Sequence, residues 1–242
     1  MTTPTPLPAD RILVITAHPD DVDFSSAGSI AGWTAAGATV GYCICTDGDA
    51  GGEDPDVPRE KIGAVRREEQ RAAGAIVGVS DIEFLGHRDG ELMPTLELRR
   101  DISRAIRRFR PDRVITSTPL RDLRSMYGSH PDHMAVGEAT LCAIYPDARN
   151  PMAFPELLRE EGLAAHAVAQ TWVMSSNDRA DHYVDITATF DRKLAALLAH
   201  VSQTGGRDGF EERMRQWGAL QARAGGLPEG SLAEGFLILE TA

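Results

Sequence analysis

Two short segments of this chain carry the residue types of metal-assisted hydrolysis. Ala17-His18-Pro19-Asp20-Asp21 and Ser129-His130-Pro131-Asp132-His133 each hold an H-P-D triplet with a further acidic or imidazole neighbour. Imidazole nitrogen and carboxylate oxygen are the donors a catalytic zinc takes, three from the protein with the fourth position open to water. With His18, Asp21 and His133 as ligands the site would carry a net charge of +1, and a bound water would move toward a pKa of ~7. Asp20, beside the ligands but not among them, is the candidate base for that water. His130 is the candidate partner for the leaving group's proton or for an oxyanion. We expect one ion per chain, Zn²⁺ first, with Fe²⁺, Co²⁺ and Mn²⁺ acceptable to the same donors.

Each motif alone has a plainer reading. H-P-D-D is also a turn, with Pro at its second position and Asp capping the next helix. Asp132 can likewise cap the helix that follows it. What favours chemistry is the pair: both triplets follow a predicted strand.

The elements that must bring them together are legible from periodicity. The continuous apolar run 12–16 predicts a strand buried on both faces, followed by a helix over 25–36 and a second strand over 39–45. Gly, Asp and Pro make 48–58 a loop that could form a mobile rim. An amphipathic helix is expected over 59–77, with Ile62, Val65, Ala73 and Ile76 facing inward, then a strand over 82–85. A helix over 96–109 is announced by Pro94-Thr95 and stopped by Pro111. A fourth strand is expected over 113–116 and a helix over 132–144. The C-terminal part predicts strands over 168–175 and 235–239 and helices over 188–201 and 209–223.

Strands alternating with helices predict an α/β fold with a mostly parallel sheet and helices on both faces. In a 3-2-1-4 strand order, the first and fourth strands are neighbours. Both motifs then meet at the carboxyl edge, in the crevice where such sheets bind ligands.

The bulk numbers narrow the classes. The 242 residues predict a leader over 1–10 and one domain over 11–242. A chain of this length buries roughly 70–75% of its unfolded surface, so an ion is not needed to hold the fold. The net charge of −11 argues against nucleic acid as a partner. No apolar run approaches the roughly 20 residues of a membrane span. The N-terminus lacks the charged and apolar regions of a secretory signal, so a cytoplasmic protein is expected. Cys43, Cys45 and Cys142 form no C-x-x-C and read as free thiols.

On these residues the chain resembles the PIG-L/LmbE-like family of zinc-dependent N-deacetylases. That family includes N-acetylglucosaminyl-phosphatidylinositol deacetylases, mycothiol- and bacillithiol-pathway enzymes and antibiotic-tailoring deacetylases. A-H-P-D-D stands at 17–21 and H-x-D-H at 130–133. Lesser matches are Thr46-Asp-Gly48, Arg66-Arg-Glu-Glu69, Asp89-Gly90 and His200-Val-Ser-Gln203, so the likeness spans about residues 11–205. It implies a Rossmann-like (LmbE-like) fold, His18, Asp21 and His133 as zinc ligands, and Asp20 as base. It implies His130 as the stabilising histidine, tuned by Asp132, and Arg66 as a substrate contact.

The chain departs from the pattern at Val22, where some members are acidic, and at Gly128, where some carry Tyr; here Tyr127 stands one residue earlier. Arg124 and Tyr127 join Arg66 as candidate substrate-binding residues, Arg124 with Arg66 for a phosphate or carboxylate. Arg88 and Arg121 could share the rim. Trp33, Tyr127 and Trp172 are candidate sugar-stacking groups. The expected partner is a small N-acylated substrate, a sugar derivative by family analogy, with no nucleic acid and no membrane; a homo-oligomer is allowed. Two rivals stand beside the deacetylase: a metal-dependent phosphoesterase, which often needs two ions, and a non-catalytic Rossmann-like protein that binds a small ligand.

Overall fold

The computed structural model describes residues 5–123, 126, 129–174 and 180–241. Its first half alternates as the sequence predicts: β1 (Arg11–Thr16), α1 (Asp21–Ala35), β2 (Thr39–Thr46), α2 (Arg59–Val77), β3 (Asp81–His87), α3 (Leu96–Phe109), β4 (Arg113–Ser117) and α4 (Pro131–Cys142). The second half contributes α5 (Pro155–Arg159), β5 (Gln170–Met174), β6 (His182–Asp185), α6 (Phe190–Ala199), α7 (Val201–Thr204), α8 (Phe210–Ala224) and β7 (Ala233–Glu240).

The described residues build a seven-stranded sheet in the order β3-β2-β1-β4-β5-β7-β6. β1 to β5 are parallel, and β7 and β6 close the far edge antiparallel. The chain winds from β1 outward through β2 and β3, then crosses to β4 on the other side of β1. The carboxyl ends of β1 and β4 therefore lie side by side.

Burial on both faces follows from the strand sequences. Leu13 and Ile15 of β1 enter a core with Cys43, Cys45, Ile102, Ile106 and Val136, so α3 and α4 cover that face. Ile12 and Val14 enter the opposite core with Ile30, Tyr42, Val77 and Ala196, under α1, α2 and α6. The alternation of Cys43 and Cys45 thus places both thiols in one core, free and buried. No helix among the described residues is long and apolar enough to cross a membrane.

The departures have local causes. α1 starts at Asp21, four residues before the expected start, because the Asp20 carbonyl accepts the N–H of Asp23 and of Phe24. Asp21 and Asp23 then sit in the first turn, where the helix dipole favours negative charge. The helix expected to run to 144 stops at Cys142 and continues as a π-helical turn, Ala143–Asp147, with Pro146 inside it. Proline removes a donor and disfavours helical backbone at the residue before it. The helix expected over 188–201 breaks at His200, whose ring is drawn into the interior. Val65 of α2, expected to face inward, is half exposed. α5 and β6, five and four residues long, are too short for a periodic signal.

Candidate metal centre

The first motif leaves the end of β1 under tight restraint. Thr46, the last residue of β2, donates to the Ala17 carbonyl through both its N–H and its Oγ1, at 2.8 and 2.9 Å. Asp20 then adopts a left-handed conformation (φ 88°, ψ −28°). Asp tolerates this region better than most residues, at a cost of order 1–3 kcal/mol. Three bonds hold it there. The Asp20 N–H donates to Gln70 Oε1 (2.8 Å), and Arg66 Nη2 donates to the Pro19 carbonyl (2.7 Å) and to Asp20 Oδ2 (3.1 Å).

The second motif opens α4. His130 is the N-cap, accepting the Asp132 N–H on Nδ1 at 3.2 Å, and Pro131 follows in the first turn, where its missing N–H costs nothing. His133 lies one turn on from His130, so both rings share a face of the helix. α4 packs hard against the end of β4: a Cβ at Gly137 would stand 2.5 Å from the Ser117 carbonyl oxygen. A side chain there would push the motif off the sheet edge.

Three donors converge where the two motifs meet. His18 Nδ1 lies 3.2 Å from His133 Nε2 and 3.4 Å from Asp21 Oδ2, and His133 Nε2 lies 3.0 Å from Asp21 Oδ1. Ligands about 2.0–2.1 Å from a tetrahedral zinc stand about 3.3–3.4 Å apart, so these pairwise approaches have a suitable spacing, with Asp21 meeting His18 through Oδ2 and His133 through Oδ1. The far side of the His18 ring fits too. Its Nε2 is 3.0 Å from Asp89 Oδ1 and 3.3 Å from Asp132 Oδ2. A nitrogen facing two carboxylates keeps its proton, so Nδ1, which faces His133 and Asp21, is the nitrogen that would give up its proton to bind an ion. Carboxylates behind a metal-binding histidine orient it and raise its basicity in this way.

The electrostatics ask for positive charge. Burial opposes a charge on His18, yet the Asp21, Asp132 and Asp89 carboxylates push its ring up to about 12. His133 is raised as well, against its own burial, by Asp21. Burial opposes the charge on Asp21, yet His133 and His18 hold it well below the usual carboxylate range. A divalent cation is the natural neutraliser of such a pocket, and the donor set accepts one.

Asp20 and His130 flank this triangle and differ from it. Burial pushes the Asp20 carboxyl up to about 6, with Arg66 pulling against it. Burial and the neighbouring His18 and His133 rings lower His130, so it is neutral at pH 7. Because Nδ1 accepts from the backbone, the proton of neutral His130 is on Nε2. Beside His18, Asp21 and His133, two donor triples among the described residues have their ligand atoms within 4.8 Å of one another: His18 with His130 and His133, and His18 with Asp89 and Asp132. Both share His18, so the described residues offer no second, independent centre of the kind a two-ion phosphoesterase uses.

Several expected residues stand elsewhere. Arg66, expected to touch substrate, is 4% exposed and lies beneath the 47–52 loop, with Nη1 donating to the Gly48 carbonyl at 2.9 Å. Gly48, at φ 64°, leaves room for that guanidinium: a Cβ there would stand 2.3 Å from Nη1. Its Nη groups donate to Pro19, Asp20 and Gly48, so the guanidinium ties the loop to the first motif. The carboxylate of Asp132, expected to tune His130, reaches His18 instead and accepts from the Gly90 N–H at 2.7 Å; its backbone N–H is what meets His130. Arg124 and Tyr127 lie outside the described residues. Arg88 is exposed and pairs with Glu91. Trp33 and Trp172, expected to stack on a sugar, meet each other edge-on at 5.6 Å in the core. The loop expected to be a mobile rim is anchored by an Arg59–Asp49 pair at 2.7 Å and by Ala50 N–H on Asp89 Oδ2 at 3.0 Å.

Other participants stand in the sequence only within lesser motif matches or carry no motif at all. Asp89, second of the two carboxylates behind His18, stood in the sequence only as a D-G pair. A buried chain lies behind Asp20: Gln70 Nε2 donates to Asp23 Oδ2 at 2.8 Å, and that oxygen is 2.8 Å from His200 Nε2, with all three residues fully buried. The Asp20–His133 site opens into a cavity of about 900 Å³ that extends to α6, α8 and β7.

Comparison with known proteins gives the family. The family described as GlcNAc-PI de-N-acetylase matches residues 13–144. The chain is 31% identical over 196 residues to the diacetylchitobiose deacetylase of Thermococcus kodakarensis, covering 80% of this chain and 70% of that one. It is 34% identical over 203 residues to a probable N-acetyl-alpha-D-glucosaminyl L-malate deacetylase 2 of Bacillus cereus, covering 80% and 84%. The solved N,N′-diacetylchitobiose deacetylase of Pyrococcus horikoshii superposes with a TM-score of 0.85 at 28% identity, covering 96% of this chain and 84% of that one. A match that spans more than half of the chain and runs through both H-P-D motifs makes this protein a member of the PIG-L, or GlcNAc-PI de-N-acetylase, family.

Proposed function

We propose that the protein is a metal-dependent hydrolase that releases acetate from the amide nitrogen of a small N-acetylated amino sugar or glycoside. The observation that carries this is the 3.0–3.4 Å triangle of His18, Asp21 and His133 beside the buried carboxylate of Asp20. The sugar class rests on the relatives, which are named as deacetylases of N-acetylated sugars. One divalent ion held by His18, Asp21 and His133, zinc by preference of these donors, would polarise the amide carbonyl and acidify a water.

The chain's own groups perform the proton traffic. Asp20 takes a proton from the attacking water as its oxygen bonds to the carbonyl carbon. With a carboxyl raised to about 6, Asp20 is a stronger base than an ordinary aspartate and still acid enough to give the proton back near neutrality. The proton passes to the departing nitrogen, the C–N bond breaks, and acetate and free amine leave. Neutral His130 offers its Nε2–H to the oxygen that gains negative charge. Arg66 and Gln70 keep Asp20 in its left-handed pose throughout.

The test is methyl N-acetylglucosaminide with the zinc-loaded protein, acetate and amine both measured. Equal amounts of each are expected. Asp20→Asn should lower kcat by about 10²–10⁴-fold with metal content unchanged. Equal turnover in Asp20→Asn would remove Asp20 as the base. Amine release from none of a panel of N-acetyl amino sugars would remove the deacetylase reading.

A further inference from the structure

We infer that the amino-sugar substrate carries an apolar alkyl or aryl group, and that this group lies in the part of the cavity walled by α6, α8 and the strand β7. The inference rests on the deacetylase reading for the reacting end and on the cavity lining for the other. Ligand pockets for drug-sized molecules run roughly 300–1,000 Å³. At about 900 Å³ this cavity is large for a single hexosamine ring.

Its two ends differ in chemistry. Asp20, Asp21, His130 and His133 line one end. The other is lined by Phe24, Ile186, Phe190, Phe210, Met214 and Trp217, with Phe24 and Phe210 edge-on at 6.1 Å. The charged pair on this side offers little to a ligand. Lys193 Nζ donates to Glu234 Oε1 (2.5 Å) and to the Phe24 carbonyl (2.6 Å). Glu234 also accepts from Gly28 N–H, Ser29 N–H and Ser29 Oγ, so both carboxylate oxygens are occupied. Arg207 and Arg213 line the cavity but are solvent-exposed. One polar atom is unmet: Gln221 Oε1, buried and without a partner, on a residue that lines the same cavity. An apolar wall with one such acceptor holds and orients a mainly apolar group. A second sugar ring would bring several hydroxyls to it, each disfavoured if left unpaired.

The experiment compares kcat/KM of the zinc-loaded protein on four substrates: methyl N-acetylglucosaminide, octyl N-acetylglucosaminide, methyl N-octanoylglucosaminide and N,N′-diacetylchitobiose. At least one octyl-bearing substrate should exceed the methyl reference by tenfold or more. Tenfold corresponds to about 1.4 kcal/mol, which burial of roughly two methylenes supplies. A gain on the octyl glycoside assigns the cavity to the aglycone; a gain on the octanoyl amide assigns it to the acyl chain. Trp217→Ser should cut the advantage to below threefold, and Trp217→Phe should restore it. If Trp217→Ser folds poorly, Met214→Glu makes the same test. The inference is overturned if neither octyl substrate beats the methyl reference, if diacetylchitobiose beats both, or if the advantage survives both Trp217→Ser and Met214→Glu. If no substrate releases acid or amine, the deacetylase reading fails. Calorimetric binding of octyl against methyl glucosaminide then decides the cavity alone, with tenfold tighter octyl binding expected and equal binding overturning it.

Discussion

His18 and His200 are both buried imidazoles fastened to aspartate, yet only one stands in a place where an ion could be held. His18 Nε2 meets Asp89 and Asp132 at 3.0 and 3.3 Å, and its Nδ1 faces two further donors at the edge of a cavity. His200 Nε2 meets Asp23 at 2.8 Å, and its Nδ1 is buried with no partner. A carboxylate orients a ring in both cases. Convergent lone pairs exist in one only. The Asp23 carboxylate instead binds Gln70, and Gln70 accepts the Asp20 N–H, so the His200 pair stiffens Asp20, the proposed base, from behind. A histidine–aspartate pair is therefore a support until a third donor meets it.

Breaking each support should separate the two roles. At His18, Asp89→Asn or Asp132→Asn weakens the orientation of a proposed ligand and should lower zinc affinity by about 10–100-fold, read by competition with a chromophoric chelator. At His200, His200→Asn or Gln70→Ala should leave zinc affinity within about twofold and lower kcat by about tenfold, because a misplaced base costs turnover and not binding. Zinc loss in His200→Asn comparable to that in Asp132→Asn would erase the distinction. The smallest effect is on pH. Asp20 works as the deprotonated carboxylate, so kcat/KM should fall as the pH drops through about 6. Burial raises this group and the Arg66 cation lowers it. Arg66→Met should therefore move the acid limb to higher pH, and a shift in the opposite direction would contradict the assignment.

The same contrast marks what could be read from the chain. That His18, Asp20, Asp21, His130 and His133 would come together was legible because their types are rare together and each motif follows a strand. The strand order that unites them followed from the alternation of elements. Asp23 and Gln70 were not, and His200 stood only in a lesser motif match: Gln70 sits in a charged amphipathic helix, where a glutamine looks solvated, and its burial depends on partners 47 and 50 residues away. The burial of Arg66 was hidden for the same reason, since a helix-borne arginine near a glycine loop reads as a rim cation until the loop is seen to fold over it. The apolar end of the cavity was also hidden. Phe210, Met214 and Trp217 recur at the spacing of any core-facing helix, and periodicity does not tell a core from a cavity wall.

The central claim is that His18, Asp21 and His133 together hold one ion that the fold itself does not need. The direct measurement is zinc per chain by mass spectrometry on protein dialysed against buffered zinc, with circular dichroism in parallel. Wild type and Asp20→Asn should each hold one zinc, and His133→Ala should hold none while keeping its secondary structure. One zinc retained by His133→Ala, or none bound by wild type, would contradict the account.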